Sequence, residues 1–354
     1  VRTPRLAFLL LAIAFAASCA SPPGWRAAPE PGPVPTAPDA AEEITFAFAG
    51  DLHFHDRTRR LLNKPETAVG PFSEQLRAAD FAMVNLETAI TERGTEEPKR
   101  YHFRAPTTAY AAIQAAGIDL VTVANNHALD YGQVGLLDTI DSAAAAKMPI
   151  VGAGRTADEA YAPHLTTVRG VKLAVIGLSQ VWELSPTWKA TDTRPGIAMA
   201  FDTERSAAAV RAARAIADVV IVYLHWGIES GTCPSADQKK IAKILADAGA
   251  DIVLGTHAHV LLADGFMDNT YIHYGLGNFV WHSDVRGTDS GLLQLTVRPR
   301  NTGSKVVAHK FIPGVTSSAT GGIPRPATNA ELPAIQARLD AAHKCSGLAA
   351  KPTS

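Results

Sequence analysis

The chain has 354 residues, with 33 Lys and Arg against 34 Asp and Glu, 47% hydrophobic residues and three cysteines. That length suits one large domain or two ordinary ones, and so even a charge balance leaves no global basic field for a nucleic-acid backbone. Three cysteines without a CxxC or a Cys/His cluster exclude a disulfide scaffold and structural zinc, which leaves the 12 histidines as the informative residues.

Residues 1–19 read as an export signal. Arg2 and Arg5 precede an apolar run from Leu6 to Ala17 that is too short for a folded membrane span. The stretch Ala16-Ala17-Ser18-Cys19 resembles a bacterial lipobox, with Ala16 where Leu is usual, so Cys19 is the expected lipid attachment point; ordinary secretion is the alternative. Either way the mature protein is expected outside the cytoplasm, touching a membrane through the lipid alone. Residues 20–43 follow, with seven prolines between Pro22 and Pro38, and can form neither helix nor sheet. They read as an extended tether or a plain spacer.

From Ile44 onward, short apolar runs alternate with amphipathic stretches, which predicts an α/β domain over residues 44–315. Expected strands are Ile44–Gly50, Phe81–Leu86, Ile118–Ala124, Val171–Leu178, Val219–Leu224, Ile252–Gly255, Tyr271–Tyr274, Leu292–Val297 and Val306–Ile312. Helices are expected over Ser73–Ala79, Thr108–Ala116, Val134–Ala146, Thr203–Ala217 and Ala236–Ala248. The last three strands leave no room for helices between them, so the sheet should turn antiparallel there. Residues 316–354 form a loop and a closing helix over Glu331–His343.

Ligands of an open α/β sheet gather beyond the carboxyl ends of its strands. Five successive strand ends carry Asp51 and His53, Glu87, Asn126 with His127, His225, and His257 with His259. Carboxylate, amide and imidazole donors suit a borderline transition metal such as Mn, Fe, Zn or Co, and seven ligands exceed one tetrahedral ion but suit two divalent ions sharing a carboxylate. The pairs Asp51-x-His53 and His257-x-His259 should each point to one side if the backbone is extended there. Taken singly, each residue has an ordinary reading, as a hydrogen-bonded histidine or a turn aspartate. Five coincident strand ends outweigh it. His55, His102, His164, His273, His282, His309 and His343 lack that placement and keep the ordinary reading.

The segments FAGDLHFHD, VNLETAIT, FRAP, ANNHALDYG, HWGIE, AGADIVLGTHAHV and YGLGNFVW, in this order over residues 44 to 312, resemble the CapA family, named for poly-γ-glutamate capsule synthesis. That family is similar in fold to the calcineurin-like metallophosphoesterases, which implies a four-layer α/β/β/α sandwich with two mixed sheets. By the same resemblance, Asp51, His53 and His259 would hold one ion, and Asn126, His225 and His257 the second. Glu87 would bridge them where those enzymes use an Asp, and His127 would be the general acid. Asp130 would orient His127 or cap the following helix. Arg104 of FRAP would clamp an anion or form a surface ion pair, and Glu229 and Asn278 are rim residues that could touch substrate. With Cys19 acylated, Cys233 and Cys345 remain, as a disulfide or as two free thiols.

Three functions follow from these residues. The first is a metal-dependent hydrolase or transferase acting on poly-γ-glutamate or a related anionic surface polymer, alongside capsule-synthesis membrane proteins. The second is a phosphoesterase acting on nucleotides or phosphorylated wall components. The third is a non-catalytic polymer-binding accessory, against which the full ligand set and His127 weigh. Fold analogy alone does not choose among them.

Overall fold

The computed structural model describes residues 42–353, so Cys19, the expected signal and nearly all of the proline tether lie outside the described residues. Strand β1 (Ile44–Leu52) shows how the layers arise. Successive strand residues point to opposite faces, so Phe46 and Phe48 enter the core between two sheets while Ala47 and Ala49 pack beneath helices.

β1 runs parallel to β2 (Phe81–Leu86), β3 (Leu120–Thr122) and β4 (Ile150–Val151). In the second sheet, β5 (His164–Val168) is the antiparallel neighbour of β6 (Val171–Ser179), which continues in parallel through β7 (Val219–Trp226) and β8 (Ile252–His257). A hairpin of β9 (Asp264–Met267) and β10 (Thr270–His273) follows, with β10 parallel to β8. The chain then returns to the first sheet. There β11 (Asn278–Val280) pairs with the carboxyl end of β1, and β12 (Asp289–Val297), β13 (Val306–Val315) and β14 (Arg325–Pro326) complete it antiparallel.

Helices α1 (Ser73–Ala78) and α2 (Thr108–Ala115) cover the outer face of the first sheet with Leu76, Tyr110 and Ile113. Helix α3 (Gly132–Ala145) joins them through Ala143. Helices α4 (Thr203–Arg214) and α5 (Ala236–Asp247) cover the second sheet with Val210, Ile241 and Leu245. Val175, Ile221, Tyr223 and Leu254 meet Phe46 and Phe48 in between. The result is the four-layer α/β/β/α sandwich with two mixed sheets.

One expectation differs from the structure for a physical reason. Tyr271–Tyr274 does not lead into an antiparallel run of one sheet, because β9 turns the chain back first and leaves β10 parallel to β8. The short Asp264–Met267 segment carries too little apolar character to announce that reversal.

Helix α6 (Leu332–Ser346) packs Ile335 and Leu339 against Leu261 and Val315. Cys345 on this helix is bonded to Cys233 in the loop after β7, with Cα atoms 5.8 Å apart and a sequence separation of 112. A cross-link over so long a loop limits the unfolded chain, so Cys233→Ser with Cys345→Ser is expected to lower stability by about 2–4 kcal/mol, read from urea unfolding.

Half-buried Asp264 faces the same helix. It accepts hydrogen bonds from Tyr271 Oη at 2.6 Å and His343 Nε2 at 3.1 Å, with His309 Nδ1 at 3.2 Å. The Asp264 hydrogen bond raises His343 from 6.5 to about 8. A histidine raised on folding stabilises fully below about pH 6.5, and that contribution disappears as pH rises through about 8. With His343 partly exposed, the effect is about 1 kcal/mol or less. Melting temperatures at pH 6 and 9 should therefore differ more in the wild type than in His343→Gln.

Candidate metal centre

Asp51, Glu87, Asn126, His127, His225, His257 and His259 converge at the carboxyl ends of β1, β2, β3, β7 and β8, each buried to 9% exposure or less. The approach of β1 depends on Gly50. A Cβ there would stand 1.8 Å from the Gly277 carbonyl oxygen, to which the Asp51 N–H donates at 2.9 Å.

One set of donors is Asn126 Oδ1, His225 Nε2 and His257 Nδ1. His225 Nε2 lies 2.8 Å from the first and 3.1 Å from the third. Metal bonds of 2.0–2.1 Å at right angles separate neighbouring donor atoms by roughly 2.9 Å, so His225 Nε2 stands from each of the other two at the spacing of adjacent ligands. The other imidazole nitrogen of His225 is held by Thr256 Oγ1 at 3.0 Å and Asn85 Nδ2 at 3.1 Å, which aims Nε2 inward. Asn85 also donates to Asp51 Oδ1 at 2.8 Å, tying the ends of β1 and β7 together.

Glu87 stands between these donors. Its Oε1 is 3.6 Å from His225 Nε2 and 3.7 Å from His127 Nε2, and among the described residues no donor reaches either carboxylate oxygen, with the Asp51 carboxyl beside it. Ligand atoms of Asp51, Glu87 and His225, and likewise of Glu87, His257 and His259, lie within 4.8 Å of one another. Burial, with Asp51 alongside, pushes the Glu87 carboxyl well above its usual range, and burial lowers His257 to about 3. Neutral imidazoles and an orphaned buried carboxyl are a donor set of matching chemistry, so these residues fit a divalent transition metal.

The two histidines of the His-x-His pair do not converge through extended backbone. Both have positive φ, +85° at His257 and +57° at His259, so the chain coils at the end of β8. Asn278 accepts from His259 Nδ1 at 2.9 Å and fixes that ring; its amide is buried behind the histidine, away from the rim. His53 is turned aside. Its Nε2 contacts His282 Nδ1 at 2.9 Å and the His282 N–H at 3.2 Å, its Nδ1 has no partner, and it joins neither donor group. His282, given an ordinary role in the sequence reading, thus lies against the site.

His127 stacks on Phe103 with ring centroids 3.9 Å apart, and its Nδ1 meets Asp130 Oδ2 at 2.6 Å. Asp130 therefore orients His127, and α3 begins without a side-chain cap. Sequence reasoning missed Lys99, which is 3% exposed and pairs with Asp130 at 3.0 Å and Glu183 at 3.2 Å while donating to the Asn126 carbonyl. A lysine in the polar stretch before FRAP carries no local signal of burial. Burial, helped by Lys99, lowers His127 well below its usual value, so the ring is neutral in the resting site. The Arg104 guanidinium stacks on Tyr131 at 3.4 Å, whereas Glu229 pairs with Arg286 and reaches His259 Nε2 at 3.9 Å.

A four-layer α/β/β/α frame with buried carboxylate, amide and imidazole donors at its strand ends defines a protein whose site residues are compatible with metal binding. The chain belongs to the family described as bacterial capsule synthesis protein PGA_cap, whose profile matches residues 45–283. It is 30% identical over 285 residues to the PGA biosynthesis protein CapA of Bacillus subtilis, covering 79% of this chain and 74% of that one. It is also 30% identical over 302 residues to the capsule biosynthesis protein CapA of Bacillus anthracis, covering 82% and 71%. Among solved structures it is similar to one described as a novel phosphatase from Mycoplasma pneumoniae, at 16% identity and a TM-score of 0.49, covering 77% of this chain and 94% of that one.

Proposed function

We propose that this protein is an exported, metal-dependent hydrolase or transferase acting on poly-γ-glutamate or a related anionic surface polymer. The observation that carries the reading is Glu87, a fully buried carboxyl with no hydrogen-bond partner, set among the donor atoms of Asp51, His225, His257 and His259. Asn126, His225 and His257 would hold one ion, Asp51 and His259 a second, and Glu87 would be shared. Bound there, such ions supply Lewis acidity and lower the pKa of water.

The remaining steps belong to the chain itself. Neutral His127 offers Nε2 to accept a proton from the attacking water and returns that proton to the leaving group as the scissile bond breaks. Asp130 holds Nδ1 and stabilises the ring while it is charged. Phe103 and Trp281 wall the site and exclude water, which strengthens every charge interaction within it. Export is supported by the signal pattern of residues 1–19 and by the Cys233–Cys345 bond, which suits an oxidising compartment.

The test is a parallel assay of Mn- or Zn-supplemented protein on γ-glutamyl oligomers, p-nitrophenyl phosphate and a phosphodiester analogue, with metal content measured on the same sample. Turnover of the γ-glutamyl oligomers is expected. Turnover of phosphate esters alone would replace the reading with a phosphoesterase, and a chain binding no metal after supplementation would remove the metal centre.

A further inference from the structure

The sequence places the anion clamp at Arg104, but that guanidinium lies on Tyr131. Among the described residues lining the cleft over His127 and His259, Arg286 is the only Arg or Lys. The cleft has a volume of about 200 Å³ and is walled by Phe103 and Trp281. Arg286 also lines a second cavity of about 370 Å³, which shares His259 with the first and extends past Thr232 and Leu261 to Arg338 on α6. One guanidinium therefore stands where two cavities meet beside the proposed metal centre.

We propose that Arg286 is the anion-binding residue of this site, and that the two cavities hold successive charged groups of one polyanionic chain. The inference rests on the proposed metal centre as the reacting site and deepens it by naming what the substrate must carry. Among the described residues Arg286 is paired with Glu229 alone, and a guanidinium has five donors of which one carboxylate uses at most two. The rest remain for a substrate carboxylate or phosphate, which a planar fork binds through two parallel hydrogen bonds. Glu229 holds the guanidinium in place when substrate is absent and competes with it when present. Its own contact with His259 keeps the pair at the edge of the centre. Arg338 stands at the far end of the second cavity, where Asp289, which lines the same cavity, pairs with it at 2.5 Å; the pair adds no net charge but leaves guanidinium donors free for a second anion. A lone small anion would occupy the first cavity and leave the second unused; a chain of repeated anions fills both.

The purified full chain, supplemented with Mn, would be titrated calorimetrically with a γ-glutamyl decamer and, separately, with linear polyphosphate of similar length. For whichever polymer the wild type binds, Arg286→Gln is expected to raise Kd about 10-fold or more, with Arg286→Lys in between. Glu229→Gln is expected to tighten binding about threefold by removing the competing carboxylate. Melting temperature and metal content of each variant, measured in parallel, confirm that fold and centre persist. Unchanged binding in Arg286→Gln, or no binding of either polymer by the wild type, overturns the proposal. Arg286-dependent binding of polyphosphate without binding of the decamer supports the clamp and instead overturns the γ-glutamyl reading of the function.

Discussion

Replacing Glu87 with methionine is expected to cut metal affinity on the order of 100-fold while making the metal-free protein more stable. Both effects come from one fact: the carboxyl is 0% exposed and unpartnered. Methionine fills nearly the same volume without a polar group to desolvate, so the chelated variant should gain about 1–3 kcal/mol in urea unfolding relative to chelated wild type. The pH dependence has a definite sign. A carboxyl whose pKa is raised on folding opposes folding once the unfolded chain ionises, so the gain should widen as pH rises above 4.5. Added metal should reverse the order, stabilising the wild type and not the variant. Equal stability of the two chelated proteins at every pH would show that Glu87 finds partners when no metal is bound.

His127→Ala is expected to lower turnover by roughly 10²–10⁴ while leaving metal content unchanged. The ring stands 3.7 Å from Glu87 and spends its Nδ1 on Asp130, which fits the proposed role in proton transfer outside the ligand set. Asp130→Asn should show an intermediate loss, because an amide can hold the ring but cannot stabilise its charged form. Elemental analysis beside steady-state kinetics separates the cases. Metal loss in His127→Ala would make the residue a ligand, and full turnover would assign the proton to another group.

Much of this was legible in the sequence because parallel strands end on one side of a sheet. Five short apolar runs, each ending in a ligand-competent residue, locate Asp51, Glu87, Asn126, His225 and His257 without knowledge of strand order. Lys99, His282 and Arg286 were not legible, since they lie in segments outside the main strands and helices, whose position depends on what the two sheets leave uncovered. The FRAP segment is the instructive case. Arg104 looks like its chemical residue, yet Phe103 is the side chain delivered to His127. Similarly, spacing alone placed His53 with Asp51, but the chain leaves β1 after Leu52 and the ring turns to His282.

The left-handed backbone at His257 and His259 narrows how this centre can evolve. Most residues with a Cβ resist positive φ, and β-branched ones resist it most, so the majority of substitutions would fail on backbone grounds before their chemistry was tried. Asparagine and aspartate tolerate that conformation and carry oxygen donors. Neighbouring sequences that keep the backbone are therefore oxygen-richer ones, and if the site holds a metal as proposed, drift at these positions would favour harder ions such as Mn, Mg or Ca over Zn.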